Sequence, residues 1–296
     1  MNKHSMKPIQ AILGINSANK VFLTKEIVQP YYSTQFHFHH ECQLTYIVES
    51  SGQRIIGNNI EYFEPGELVF LGSEVPHVWY NNEEYFQGSE HLRAQSLAMY
   101  INPEQLVDSL EGFGCRNVLD HWLTISRRGI IYTGAIKTEL IDLFKSLFYQ
   151  EGMAKLITFL KLVDRLMHAT DYRLLSSPDY VNSYSENDQQ RMERLFQFIF
   201  ANFRRDISLD EISSLANMNE FSFCRYFKSR TQKSFTQFVN DLRIGYACKM
   251  MQERYNPIES VAYESGFNNI THFNRQFKRI KGVTPRDYRK QLKTFS

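Results

Sequence analysis

The chain is predicted to be an α+β multidomain protein, with an N-terminal β-barrel and a helical hairpin followed by an all-α C-terminal domain. Three observations predict this. Residues 21–100 carry short apolar runs separated by turn signals, residues 135–172 switch to helical period, and one pattern occurs twice between Ser208 and Arg289. In that duplication Phe223-x-Arg225-x-Phe227-Lys228 reappears fifty positions later as Phe273-x-Arg275-x-Phe277-Lys278. Upstream the offset is forty-nine, with Ile212 matching Val261 and Met218 matching Phe267, so the second copy has one extra turn residue. Each copy reads as a short helix, a tight turn and a second helix.

Composition bounds the function classes. At 296 residues there is room for two sizeable cores, and 43% hydrophobic with 22% charged residues is the profile of a water-soluble globular protein. No apolar run approaches the roughly twenty residues of a membrane helix. Met1–Met6 lacks the apolar core of a secretory signal, so a cytoplasmic protein with no membrane partner is expected. Cys42, Cys115, Cys224 and Cys248 are scattered without CxxC spacing, which points to reduced thiols and not to a disulfide framework or zinc cluster. The net charge of +2 hides an asymmetry. Residues 185–296 hold 19 Lys and Arg against 12 Asp and Glu, or +7, which leaves 15 against 20, or −5, for the rest. A polyanion partner therefore belongs to the C-terminal part. Within Asn268–Lys293 eight basic residues face only Asp287.

The N-terminal elements follow in order. Leu44–Val48, Gln53–Ile56 and Glu67–Leu71 have the β-branched and aromatic content of strands, with turns at Ser51-Gly52, Gly57–Asn59, Pro65-Gly66 and Gly72-Ser73. Many short strands at this spacing indicate a sandwich or small barrel. In His37-Phe-His39-His40-Glu41, side chains two apart point to one face of a strand, so His37 and His39 align, with Glu41 and Gln43 on the same side. His77 is a later candidate for the same group. His37, His39, Glu41, His77 and Trp79 are thus the candidate ligand-binding residues. Trp79 and Tyr80 offer either a flat surface for a sugar or aromatic ring or packing in a barrel wall.

Helical stripes come next: Ile136, Leu140, Leu143–Phe144 and Leu147, then Leu156, Phe159–Leu160, Val163 and Leu166–Met167, with Gly152 between. Such a hairpin either packs on the barrel or forms a dimer interface. The polar stretch Arg173–Gln189 reads as a linker. The expected division is 1–135 barrel, 136–172 hairpin, 173–188 linker and 189–296 C-terminal domain.

The C-terminal domain opens with an amphipathic helix carrying Met192, Leu195–Phe196, Ile199–Phe200 and Phe203. Ser208-Leu-Asp-Glu211 is a capping box, and Asn256-Pro257-Ile-Glu259 supplies a cap, a first-turn proline and a carboxylate. In the second helix of each copy Phe223 and Phe227, then Ile270, Phe273 and Phe277, bury one side. The opposite stripes are Phe221, Cys224, Arg225 and Lys228, and Thr271, Asn274, Arg275 and Lys278. An arginine-centred stripe suits base-pair edges in a major groove, and the matching copies favour that over a plain solvated face. Between them Phe235–Gln252 reads as one helix, with Phe235, Phe238, Leu242, Ala247 and Met250–Met251 as packing positions. At ~1.5 Å per residue it spans about 27 Å, enough to hold two reading helices near the ~34 Å repeat of successive grooves. Thr284-Pro285 begins a last helix.

Residues 189–293 resemble the DNA-binding domain of the AraC/XylS-type (arabinose-operon regulator) family of bacterial transcription factors. The specific matches are Ser260-Val-Ala-Tyr-Glu-Ser-Gly-Phe267, His272-Phe-Asn-Arg-Gln-Phe-Lys278, Gly282-Val-Thr-Pro285 and Tyr288-Arg289. The resemblance implies two helix-turn-helix units joined by a rigid helix, binding to double-stranded promoter DNA, contact with RNA polymerase, and a homodimer. It places base-edge roles on Phe221, Cys224 and Arg225 and on Thr271, Asn274 and Arg275; family members often carry a polar or planar side chain where Cys224 sits. Residues 20–100, through His37–Glu41, Gly57, Pro65-Gly66 and Pro76-His77, resemble the cupin-like barrel that many such regulators carry as a sensor. A metal-holding cupin normally adds a carboxylate to its histidines, and here that position falls on Gln43.

Two functions follow from these readings. The first is a ligand-responsive, sequence-specific transcriptional regulator, an activator by resemblance, that senses a small-molecule effector such as a sugar or small acid in the barrel. The alternative is a metal-dependent cupin enzyme, an isomerase or dioxygenase, fused to a DNA-binding module. Gln43 weighs against the latter, and no catalytic residue, metal ligand or cofactor is assigned.

Overall fold

The computed structural model describes residues 21–32, 36–82, 84–85, 92–180, 186–253 and 256–294. The chain forms two compact units, residues 1–59 with 63–182 and residues 183–296 with 60–62. The first is rich in sheet and the second is helical, in agreement with the α+β class.

The strands are β1 (Phe22–Gln29), β2 (Cys42–Glu49), β3 (Gly52–Ile56), β4 (Asn59–Phe63), β5 (Leu68–Leu71), β6 (His77–Asn81), β7 (Ala94–Ile101), β8 (Ile130–Tyr132) and β9 (Tyr172–Leu174). Among the described residues they make a six-stranded sheet, β1-β7-β2-β5-β8-β9, and a three-stranded sheet, β4-β3-β6. The large sheet is antiparallel and its inner strands β2, β5 and β7 are largely buried on both faces, so they sort their side chains by parity. Leu44 pairs with Phe70 and with Met99, and all three join the core beneath the helices. The alternate residues Ile47, Val69 and Leu71 turn the other way and pack with Ile56, Phe63 and Trp79 of the small sheet. Gly52 is demanded by the close β3–β6 pairing, since a Cβ there would lie 2.0 Å from the Tyr80 carbonyl oxygen.

Four helices cover the outer face: α1 (Pro103–Leu110), α2 (Arg116–Ser126), α3 (Gly134–Ser146) and α4 (Gly152–His168). The last two are the expected hairpin, and Gly152 at φ +56° makes the turn into α4. The first two were not expected, because residues 1–135 were read as barrel throughout. Their start signal is local: the Asn102 carboxamide oxygen accepts the Gln105 N–H at 2.9 Å, and Pro103 opens the helix. Buried Phe70 stacks on Trp122 of α2 at 4.3 Å, and burial of Phe70 alone is worth roughly 1.5–3 kcal/mol. The Trp122 indole N–H donates to the Tyr132 hydroxyl, which donates to the Leu166 carbonyl, tying α2, β8 and α4 together.

The linker expectation is corrected at both ends. Tyr172–Leu174 is a strand paired with β8, and Leu175 and Ser176 donate backbone N–H groups to Gly129 and Arg128. Polar composition had hidden a short strand that pairs with β8 through its backbone. From Glu186 the chain is already helical; residues 181–185 lie outside the described residues.

The second unit comprises α5 (Glu186–Asn202), α6 (Leu209–Leu215), α7 (Glu220–Thr231), α8 (Phe235–Glu253), α9 (Ile258–Glu264), α10 (Ile270–Lys281) and α11 (Pro285–Thr294). The 19 residues of α8 run about 28 Å. Its first half gives Phe238 to an aromatic cluster, stacked on Phe196 at 5.3 Å and edge-on to Phe227 at 5.2 Å. Its second half, from Ile244 to Met251, packs with Val261, Phe267, Phe273 and Phe277. One helix therefore completes both cores.

Candidate nucleic-acid interface and sensor cavity

The duplication extends to the backbone. The tight turns sit on Asn217 at φ +55° and Gly266 at φ +91°, forty-nine apart, and the helix ends on Gln232 at φ +54° and Gly282 at φ +77°, fifty apart. The caps also correspond: the Asn219 carboxamide oxygen accepts the Ser222 N–H at 2.8 Å, and that of Asn269 accepts the N–H groups of Thr271 and His272 at 2.7 and 3.1 Å. Ser208 caps α6 through the Glu211 N–H at 3.1 Å as expected. At α9 the expectation fails, because the helix starts at Ile258 with Pro257 in the cap position and no side-chain cap. Proline fixes φ, and its carbonyl accepts the Val261 N–H at 3.0 Å, but its side chain has no acceptor for the first turn.

These caps and turns fix the direction of α7 and α10. Phe223 and Phe227, and Phe273 and Phe277, are wholly buried. Phe221, Cys224, Arg225 and Lys228 are all exposed on the opposite face of α7, as are Thr271, Asn274, Arg275 and Lys278 on α10. Elsewhere Arg54, Arg93, Arg116, Arg165 and Arg205 are paired with carboxylates. Arg225, Lys228, Arg275 and Lys278 make no ion pair with any described residue. The contact of Arg225 is the Phe221 ring, 4.9 Å from the guanidinium. By contrast, Arg243 is structural: it donates to the carbonyls of Phe203 and Arg205 at 2.7 Å, and burial lowers its pKa.

A residue missed in the sequence is Asp241 on α8. Its carboxylate accepts a hydrogen bond from Lys233, just beyond α7, and lies 3.5 Å from Arg279 of α10. Only its place among apolar neighbours marked it, as a buried carboxylate must be paired.

The first unit gathers three of its candidate residues. His37 and His77 pair through their backbones, with both N–H···O bonds at 2.8–3.1 Å. This brings ring nitrogens of His37, His39 and His77 within 4.8 Å of one another. His39 and His77 donate their Nδ1 hydrogens to the carbonyls of Glu41 and Val75, each at 2.8 Å, so both Nε2 atoms carry lone pairs. Burial lowers the pKa of each, and His77 is held well below the ordinary value, with His37 and His39 adding to the effect. The Gln43 side chain touches both His39 Nε2, at 2.9 Å, and the Thr45 hydroxyl, at 2.7 Å. An unprotonated Nε2 requires the amide NH2 on the His39 side, with its oxygen accepting from Thr45.

His37, Gln43, His77, Trp79 and Tyr100 line a cavity of about 130 Å³. His77 Nε2 and the Trp79 indole N–H have no hydrogen-bond partner among the described residues. Glu41 is not part of this group. Its carboxylate lies 3.7 Å from His39 Nδ1, on the side away from Nε2, so it backs the imidazole. Glu41 does not share the face that strand parity assigns to His37 and His39, because it precedes the first residue of β2. The three imidazoles lie close enough to fit a divalent transition ion, with the rings of His39 and His77 oriented by backbone carbonyls.

Two matched exposed helices, whose cations have no ion pair among the described residues, define a DNA-reading module. Residues 212–291 match the helix-turn-helix domain family. The HTH-type transcriptional regulator YdeC of Bacillus subtilis is 28% identical over 100 residues, covering 34% of either chain. The probable transcriptional regulator LumQ of Photobacterium leiognathi is 30% identical over 34% of this chain and 43% of that one. The match thus spans well under half the length of these relatives. The HTH-type transcriptional activator RhaS of Mannheimia succiniciproducens is similar over 86% of this chain and 88% of its own, at 19% identity. ToxT of Vibrio cholerae aligns over 93% of this chain and 98% of its own, at 16% identity and a TM-score of 0.36. The C-terminal unit carries a helix-turn-helix domain and is similar to the matched parts of these transcriptional regulators. Among the described residues no helix is long and apolar enough to cross a membrane.

Proposed function

We propose that the chain is a ligand-responsive, sequence-specific transcriptional regulator. It binds double-stranded promoter DNA through Phe221, Cys224, Arg225 and Lys228 of α7 and through Thr271, Asn274, Arg275 and Lys278 of α10. It acts in the cytoplasm as an activator that contacts RNA polymerase. The observation that supports this reading is the set of four cations on two matched helices with no ion pair among the described residues, in a chain that pairs its other described arginines so often with carboxylates. Phosphates and guanine edges are the partners such groups lack. The first unit is a cupin-like sensor for a small-molecule effector, with His37, His77 and Trp79 lining its interior cavity, His39 beside them and Glu41 as support. Met153 and Ile157, exposed at 69% and 60% and four apart on α4, favour a homodimer through that helix. An effector shifts activity only by as much as it prefers one arrangement of the protein over another.

The enzyme reading is favoured by one observation, the convergence of three histidines. Gln43 stands where that chemistry needs a carboxylate, and the relatives compared are named as transcriptional regulators. The regulator reading is tested by selecting bound sequences from random duplex with the full chain at moderate salt. A discrete two-part site supports it; uniform recovery of all sequences sinks it.

A further inference from the structure

The first unit contains a larger concavity than the one beside the histidines. A groove of about 600 Å³ runs between edge strand β1, α1 and α4. Small-molecule sites typically occupy about 300–1,000 Å³, a range that includes this groove and excludes the 130 Å³ interior cavity. Its base is Phe22 stacked flat on Phe159 at 4.0 Å. Its rim is Phe113, Leu156 and Leu160, exposed at 80%, 44% and 38%. Lys155 is the one charged residue in the lining. Its ammonium is 3.5 Å from the Thr24 hydroxyl and 6.0 Å from the Phe22 ring centre, with no carboxylate partner among the described residues.

We propose that this groove, not the histidine cavity, is the effector site, and that it takes an elongated apolar molecule with a single anionic end. This rests on the reading of the first unit as a sensor and changes where and what it senses. The anion sits on Lys155 and Thr24, while the apolar body lies along Phe22 and against Leu156 and Leu160. A half-buried ammonium beside an aromatic ring gains from a counter-ion more than a fully hydrated one does. A sugar does not fit, because its many hydroxyls need convergent polar partners and the walls are almost wholly aliphatic and aromatic.

The test is calorimetric titration of the full chain, without DNA, with dodecanoate and dodecanol below their micellar concentrations. Dodecanoate binds saturably at one site, and about tenfold or more tighter than dodecanol, the equivalent of one ion pair. Lys155→Met removes that preference and leaves dodecanol unchanged, while Lys155→Arg keeps it. Leu156→Trp, which fills the groove from a half-exposed position, abolishes uptake of both. Equal affinity for acid and alcohol, or an unaltered preference in Lys155→Met, overturns the assignment. So does an absence of saturable binding. If dodecanoate binding disappears as the protein self-associates, a second copy is the occupant and the assignment again fails. Since no DNA is present, a negative result leaves promoter selection to be judged by its own experiment.

Discussion

The guanidinium of Arg225 lies 4.9 Å from the centre of the Phe221 ring, one helical turn away on α7. The matching pair on α10 is Thr271 and Arg275, which has no ring to stack on. The two heads therefore present differently shaped surfaces despite their common scaffold, and should prefer different base steps. A ring beside an arginine suits a thymine methyl next to a guanine. Phe221→Ala should cost about 1 kcal/mol of specific affinity, the scale of a cation–π contact, and relax preference in one half of the site. Binding across single-base variants checks this; a uniform loss over both halves contradicts it.

On α10 two neighbouring cations should behave differently. Arg275→Ala should lose ~1–3 kcal/mol of site-specific binding and relax preference at one base pair. Lys278→Ala should weaken all sequences alike and reduce the salt slope by about one. If both mutants lose affinity evenly across base variants, α10 is not docked through Arg275.

The two left-handed glycines of the second copy should differ in cost. A Cβ on Gly266 would stand 2.7 Å from the Arg204 carbonyl oxygen, whereas one on Gly282 meets nothing within 4 Å. Gly266→Ala should destabilise by about 1–3 kcal/mol or more, and Gly282→Ala by about 1 kcal/mol, the backbone effect alone. Urea denaturation of the two variants decides the order.

Burial of the histidines should appear as a dependence on pH. In the fold His39 and His77 are held below their unfolded pKa, so the unfolded chain binds more protons at acid pH. Stability is therefore unaffected above about pH 6.5 and falls as pH drops towards the folded values, by up to ~1.4 kcal/mol per unit for each histidine. Denaturant melts in chelator from pH 8 to 5 should show this slope for wild type and a shallower one for His77→Gln. Equal slopes would mean that His77 is not the group responsible.

Much of the second unit could be read in advance because its information is local. Phe223, Phe227, Phe273 and Phe277 repeat at four-residue spacing, and burial obeyed that spacing. The paired caps Asn219 and Asn269 and the paired turns Asn217 and Gly266 were present in the same offsets but are signals of backbone angle, which residue types express weakly. The first unit was less legible. Strand parity aligned His37 with His39, yet only the backbone bridge to His77, forty positions on, closes the cluster. Parity also misplaced Glu41. Helices α1 and α2 fall between residues 100 and 135, where neither the strand runs nor the helical stripes reach. The groove is assembled from β1, α1 and α4, so no single stretch announces it.

Since α8 supplies Phe238 to one core and Ile244–Met251 to the other, and Asp241 holds cations from both sides, neither half of the reading module has an interior of its own. The module should melt in a single cooperative step, and a fragment ending near residue 240 should not hold a fixed shape. Evolution can alter what either head recognises by changing exposed side chains, but it cannot discard one head and keep the other.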